Sequence, residues 1–197
     1  MLANILTWNH SAPLFFNTFS ENSIIRNSLP YFADVPIFSI PIFLIGYWIF
    51  ATLQKNTKMK EGLLAILYSD ILAGVSVTII QLFIYVNRPL IFLQDKWLFT
   101  LSHALDNSFP SDHATIGTAF LVSIFLFGYR KTFYLLLLPF TLMLFARLIG
   151  GVHYPLDILW GVMVGMLAGC TIFMVRNNAL FRKINQGIIG WMQKIYL

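Results

Sequence analysis

Charge is what this chain has least of. Only 11% of its 197 residues are Asp, Glu, Lys or Arg, against about 25% in an ordinary soluble domain. Acidic residues are scarcer still, eight against thirteen basic ones. So little charge excludes a conventional water-facing surface. There is one cysteine, Cys170, inside an apolar run. It permits no internal disulfide and gives no indication of compartment. Residues 1–34 lack the basic start, apolar core and small-residue cleavage site of a signal peptide. No repeat or low-complexity tract appears. What remains is hydrophobic: 58% of the chain, with mean hydropathy +0.74. These values describe an integral membrane protein with one domain, residues 1–197, and no separate soluble part. The net charge of +5 does not imply nucleic acid as a partner. The basic residues flank apolar runs, where they act as topological signals.

The apolar runs predict an all-α polytopic bundle with about five spanning helices. They lie near 35–53, 63–86, 112–129, 132–149 and 155–175. Residues 1–34 form no clean span and are expected to lie as an interfacial helix before the first one. In residues 90–105, Trp97, Leu98, Leu101 and Leu105 would share a helical face, interrupted by Gln94, Asp95 and Lys96. This segment reads as surface-lying, either bordering a lipid entrance or simply packed on the bilayer. Gly161, Gly165 and Gly169 recur every four residues, a spacing suited to close helix packing. Nine basic residues (Lys55, Lys58, Lys60, Arg130, Lys131, Arg176, Arg182, Lys183, Lys194) fall on one side, and Arg26, Arg88, Lys96 and Arg147 on the other. The richer side is expected to be cytoplasmic, with the C-terminus. The other side would face the periplasm or exterior.

Three polar clusters interrupt the apolar sequence, each at the end of a run. They are Asn87-Arg88-Pro89, then Phe109-Pro110-Ser111-Asp112-His113, then Arg147 with His153 and Asp157. Polar groups this close to lipid are costly and are read as functional. The arginine fork matches phosphate oxygens. Asp157, four residues after His153, is placed to accept a hydrogen bond from one imidazole nitrogen, freeing the other as a nucleophile. Gly150-Gly151 reads as a flexible connection behind it. Ser111 or Asp112 is a natural N-cap, and the helix it opens favours an anion. His113 can supply a proton to a leaving oxygen. Each cluster alone has a plainer reading: a His–Asp cap, a simple N-cap, an interfacial arginine anchor.

The order Arg-Pro, Pro-Ser-x-His, then Arg-x5-His-x3-Asp resembles the type 2 phosphatidic acid phosphatase superfamily. The small size, Asn-Ser-Phe-Pro-Ser-Asp-His and Gly-x-His-Tyr-Pro-Leu-Asp most resemble its bacitracin-resistance branch of undecaprenyl pyrophosphate phosphatases. Three departures stand out. Gln81 occupies the position of the family's lysine, Ala146 that of its serine, and Asp112 that of its usual glycine.

The resemblance implies that His153 attacks phosphorus to form a phosphohistidine, oriented by Asp157. His113 would protonate the leaving oxygen and then activate water. Arg88, Arg147, Ser111 and, in the lysine's place, Gln81 would hold the phosphate. No cofactor and no metal are implied, since the cationic side chains neutralise phosphate and no carboxylate cluster is present to hold a divalent ion. The expected activity is an undecaprenyl-diphosphate phosphatase in a bacterial inner membrane, its partners being the lipid substrate and the bilayer. Alternatives are phosphatases of phosphatidylglycerophosphate, phosphatidic acid or lipid A, and a non-catalytic lipid-phosphate binding or transport protein.

Overall fold

The computed structural model describes residues 2–92, 97–101 and 107–194. Its helices are α1 (Leu2–Asn17), α2 (Ser23–Asp34), α3 (Ser39–Leu53), α4 (Thr57–Phe83), α5 (Pro89–Phe92), α6 (Asp112–Leu126), α7 (Arg130–Ile149), α8 (Pro155–Val175) and α9 (Ala179–Lys194). No strand occurs among the described residues. The architecture is the helical bundle that the hydropathy predicts. Four helical stretches are long and apolar enough to cross a membrane: Ser23–Leu53, Thr57–Phe83, Arg130–Ile149 and Pro155–Val175.

The fifth expected span, α6, is shorter. Its 15 residues rise about 22 Å at ~1.5 Å per residue, less than the ~30 Å hydrocarbon core of a bilayer. α6 is the hub: α4, α7 and α8 all pack on it. Toward α8 it presents Ala114, Thr115, Thr118 and Ala119, and the glycines of α8 meet them. A Cβ on Gly161 would lie 2.7 Å from the Ser111 carbonyl oxygen, and one on Gly165 would collide with that of Thr115. The expected role of the four-residue glycine spacing is borne out. On the other side, Phe120 and Ile124 join Ile40, Phe43, Phe140 and Met143 in the main core.

The N-terminal region departs from expectation. It is two helices joined by a 3-10 turn at Thr18–Glu21, and not one interfacial helix. α1 packs on α7 and α8, and α2 on α7. Asn9 of α1 accepts from the Leu156 N–H at 3.0 Å, satisfying an otherwise open donor in the first turn of α8. α2 runs through a 3-10 turn at Val35–Phe38 into α3, so the first long stretch begins near residue 23, not 35.

Residues 97–101 are not helical, so Trp97, Leu98 and Leu101 do not form the shared helical face expected of them. Gln94, Asp95, Lys96 and Leu105 lie outside the described residues. The buried Asn17 side chain holds this segment. It donates to Phe99 O (2.6 Å) and Ile149 O (2.7 Å) and accepts from Leu98 N (2.8 Å). Gly150-Gly151 also seats two side chains. Gly151 has φ +69°, and its missing Cβ leaves room for the Trp97 ring, 2.8 Å from where that atom would be. Leu101 fills the corresponding space at Gly150.

Candidate active site

The C-terminal ends of α4 and α7 and the N-terminal ends of α6 and α8 meet at one end of the bundle. There the structure brings Arg88, Ser111, His113, Arg147, His153 and Asp157 together. Arg88, Ser111, Arg147, His153 and Asp157 are buried; His113 is partly open.

His153 is the best-defined centre. Its Nδ1 lies 2.9 Å from the Ser108 carbonyl oxygen. A carbonyl can only accept, so the proton sits on Nδ1 and Nε2 carries the lone pair. Nε2 is 3.4 Å from Arg88 Nη1, which also donates to Val152 O at 3.0 Å. Complete burial, with the Arg147 and Arg88 charges adding to it, pushes the His153 pKa down to about 4; Asp157 pulls the other way. The ring is therefore neutral near pH 7, as a nucleophile must be.

The expected Asp157–imidazole hydrogen bond is not formed. Asp157 Oδ2 stands 3.8 Å from Nδ1. It accepts instead from Ser108 Oγ at 2.5 Å and from the Tyr154 N–H at 2.8 Å. Ser108 Oγ is itself 3.4 Å from Nδ1. The carboxylate thus reaches the imidazole through Ser108, because Asp157 is also recruited to cap its own helix. Asn107 makes this placement possible. Its Oδ1 accepts from Val86 N and Phe109 N, and its Nδ2 donates to Ile84 O and Gln81 O. These bonds satisfy carbonyls at the end of α4 and clamp the loop that carries Ser108.

His113 lies in the first turn of α6, which Ser111 caps through a 3.4 Å bond from Ala114 N. Its Nδ1 is 3.0 Å from Asp112 Oδ1, and its Nε2 is 3.4 Å from Asp34 Oδ1. The same Asp34 oxygen is 2.8 Å from Arg147 Nη1. Arg147 Nη1 also donates to Ala33 O at 3.2 Å. A carboxylate oxygen of Asp34 thus sits between Arg147 and His113. The Gln81 amide donates to Pro110 O at 3.3 Å and so ties α4 to the α6 loop.

Sequence reasoning missed Asp34 and Ser108. Asp34 had a signal: it is the one charged residue between Arg26 and Lys55, and an acid in so apolar a stretch is a functional candidate. Ser108 had none beyond its neighbours. Among the described residues, no three His, Cys, Asp or Glu side chains are grouped to hold a metal ion.

Comparison with known proteins gives the family. The chain is 29% identical over 180 residues to the putative undecaprenyl-diphosphatase YbjG of Escherichia coli (strain K12), covering 88% of this chain and 87% of that one. It is 29% identical over 156 residues to the undecaprenyl-diphosphatase BcrC of Bacillus subtilis (strain 168), covering 78% and 76%. It is 26% identical over 190 residues to the bacitracin transport permease protein BcrC of Bacillus licheniformis, covering 92% and 91%. No solved structure gives a significant match. Residues 62–181, which carry all three polar clusters, match the PAP2 superfamily, and the chain belongs to that family.

Proposed function

We infer that the protein is an integral membrane lipid phosphatase that converts undecaprenyl pyrophosphate to undecaprenyl phosphate and inorganic phosphate. The observation that carries this reading is the pair of histidines flanking Arg88 and Arg147, with the His153 Nε2 lone pair freed by the Nδ1 bond to Ser108. Two of the relatives named above are called undecaprenyl-diphosphatases, which favours this lipid over other phosphates.

In the first step the Nε2 lone pair of His153 attacks the terminal phosphorus. The bridging P–O bond breaks, its electrons go to the lipid phosphate, and His113 supplies the proton that the leaving oxygen needs. Arg88 and Arg147 carry the charge that grows on the equatorial oxygens. Ser111 contributes the capped helix N-terminus beside them. In the second step His113 takes a proton from water, whose oxygen attacks phosphorus, and the P–N bond returns its electrons to His153. Asp157, through Ser108, offsets the positive charge His153 carries as the phosphohistidine. Gln81 positions the loop more than the phosphate.

The excess of lysine and arginine at the far end supports a site on the outer face of a bacterial cytoplasmic membrane, with α9 inside. Single cysteines at the exposed Glu21 and Lys58, in a Cys170→Ala background, test this. An impermeant thiol reagent should label position 21 in intact cells and spare 58.

Phosphate release from a panel of pure lipid mono- and diphosphates, with chelator present, tests the activity. His153→Ala should abolish turnover on all of them. His113→Ala should harm a monophosphate, whose leaving group is an alkoxide, more than a diphosphate; general acid catalysis is worth about 10²–10⁴-fold. Mild, equal losses in both variants would refute the assignment.

A further inference from the structure

Displacement at phosphorus places the incoming and departing atoms roughly in line. With His153 attacking, the leaving group departs on the side of His113. In this reaction the leaving group carries the lipid, so the lipid chain must begin within reach of His113. His113 lines a groove of about 240 Å³, together with Leu121, Leu137, Phe140, Thr141 and Met166 among others. No other charged or titratable side chain lines it.

The groove exists because α7 and α8 both pack on α6 and, among the described residues, scarcely touch each other. Its floor is α6, where Gly117 has no side chain and the Phe140 ring lies 2.7 Å from where a Cβ would be. Leu137 and Met166 remain exposed on its walls. From Leu144 to Phe133 on α7, it extends for about 16 Å at ~1.5 Å per residue. Pockets for drug-sized molecules run to about 300–1,000 Å³. This one is smaller, with room for a segment of one hydrocarbon chain and not for the paired chains of a diacylglycerol lipid.

We propose that the groove between α7 and α8 binds the phosphate-proximal part of a single polyprenyl chain, which slides in sideways from the bilayer with its pyrophosphate ending at His113. The inference rests on the phosphatase reading and on His113 as the leaving-group acid. It adds where the lipid lies and why a single-chain lipid is preferred.

Leu137→Trp and Thr141→Trp test it, since both side chains face the groove from an exposed position and fill it without opening the core. Each variant is assayed against five-carbon isopentenyl pyrophosphate and fifteen-carbon farnesyl pyrophosphate. The expected result is a KM for the longer substrate raised tenfold or more, with kcat/KM for the five-carbon one unchanged. Ile45→Trp, in the separate apolar cleft between α3, α4 and α9, should alter neither. Equal losses on the two substrates, or no loss on either, would overturn the groove, because a block at Leu137 or Thr141, beyond the first isoprene unit, must spare a substrate too short to reach it. Failure of the unmodified protein to hydrolyse any lipid phosphate would instead overturn the phosphatase reading itself.

Discussion

Replacing Ser108 by alanine isolates one link in the site. The hydroxyl donates to Asp157 Oδ2 at 2.5 Å, and both residues are buried. The His153 ring should not turn, because Nδ1 is anchored to the main-chain carbonyl of residue 108, which alanine keeps. Arg88 and Arg147 are untouched, so substrate binding should hold. What is lost is the route by which the carboxylate feels the charge forming on His153. Hydrogen bonds to charged groups contribute about 1.5–3 kcal/mol. At ~1.4 kcal/mol per tenfold, that is roughly a 10- to 150-fold fall in kcat with KM nearly constant. Steady-state phosphate release, with melting temperature as the fold control, measures it. The decisive comparison is a double-mutant cycle with Asp157→Asn. If the carboxylate works through Ser108, the second substitution adds little to the first. A Ser108→Ala variant with kcat within twofold of the original, or fully additive losses, would refute the relay.

Three further outcomes are expected. The titration midpoint of His153, followed by NMR of isotope-labelled histidine, should fall near pH 4 and not at the ordinary 6.5. Between those values the unfolded chain takes up a proton that the folded one refuses, so stability should fall as pH drops through that window; a midpoint near 6.5 would contradict the burial argument. Asp34→Asn should tighten inhibition by vanadate or phosphate, because the carboxylate no longer competes for Arg147 and His113; the partly exposed pair sets the gain at up to about 5-fold, and weaker inhibition would mean that Asp34 chiefly orients Arg147. Gly165→Leu should cost at least about 1–3 kcal/mol by overpacking, seen as a lower melting temperature in detergent; an unchanged melt would mean that α6 and α8 can separate freely.

The long helices were legible because apolar runs of that length have few other uses, and the polar clusters because charge in such a setting is expensive. The α8 glycines were legible for a similar reason: four-residue spacing places them on one face. The hydrogen-bond pattern within the site was not legible. Spacing brings Asp157 near His153, but the Tyr154 N–H and Ser108 hydroxyl compete for the carboxylate, and only the folded loop settles that contest. Asp34 reaches the site from more than a hundred residues away in sequence, so no local pattern links it to Arg147. Asn9 and Asn17 were hidden in the same way. Their partners are main-chain groups of distant segments, and any residue type supplies those.

His113 lies in the first turn of α6 and His153 two residues before α8, and where these helices meet, at Gly161 and Gly165, main chain lies against main chain. The separation of the two backbone segments that carry the histidines is therefore set by main-chain contact. Side chains facing away from that contact can change without stretching it. A substitution that wedges α6 from α8 at Gly161 or Gly165 would therefore part the segments that carry the two histidines, far from either ring.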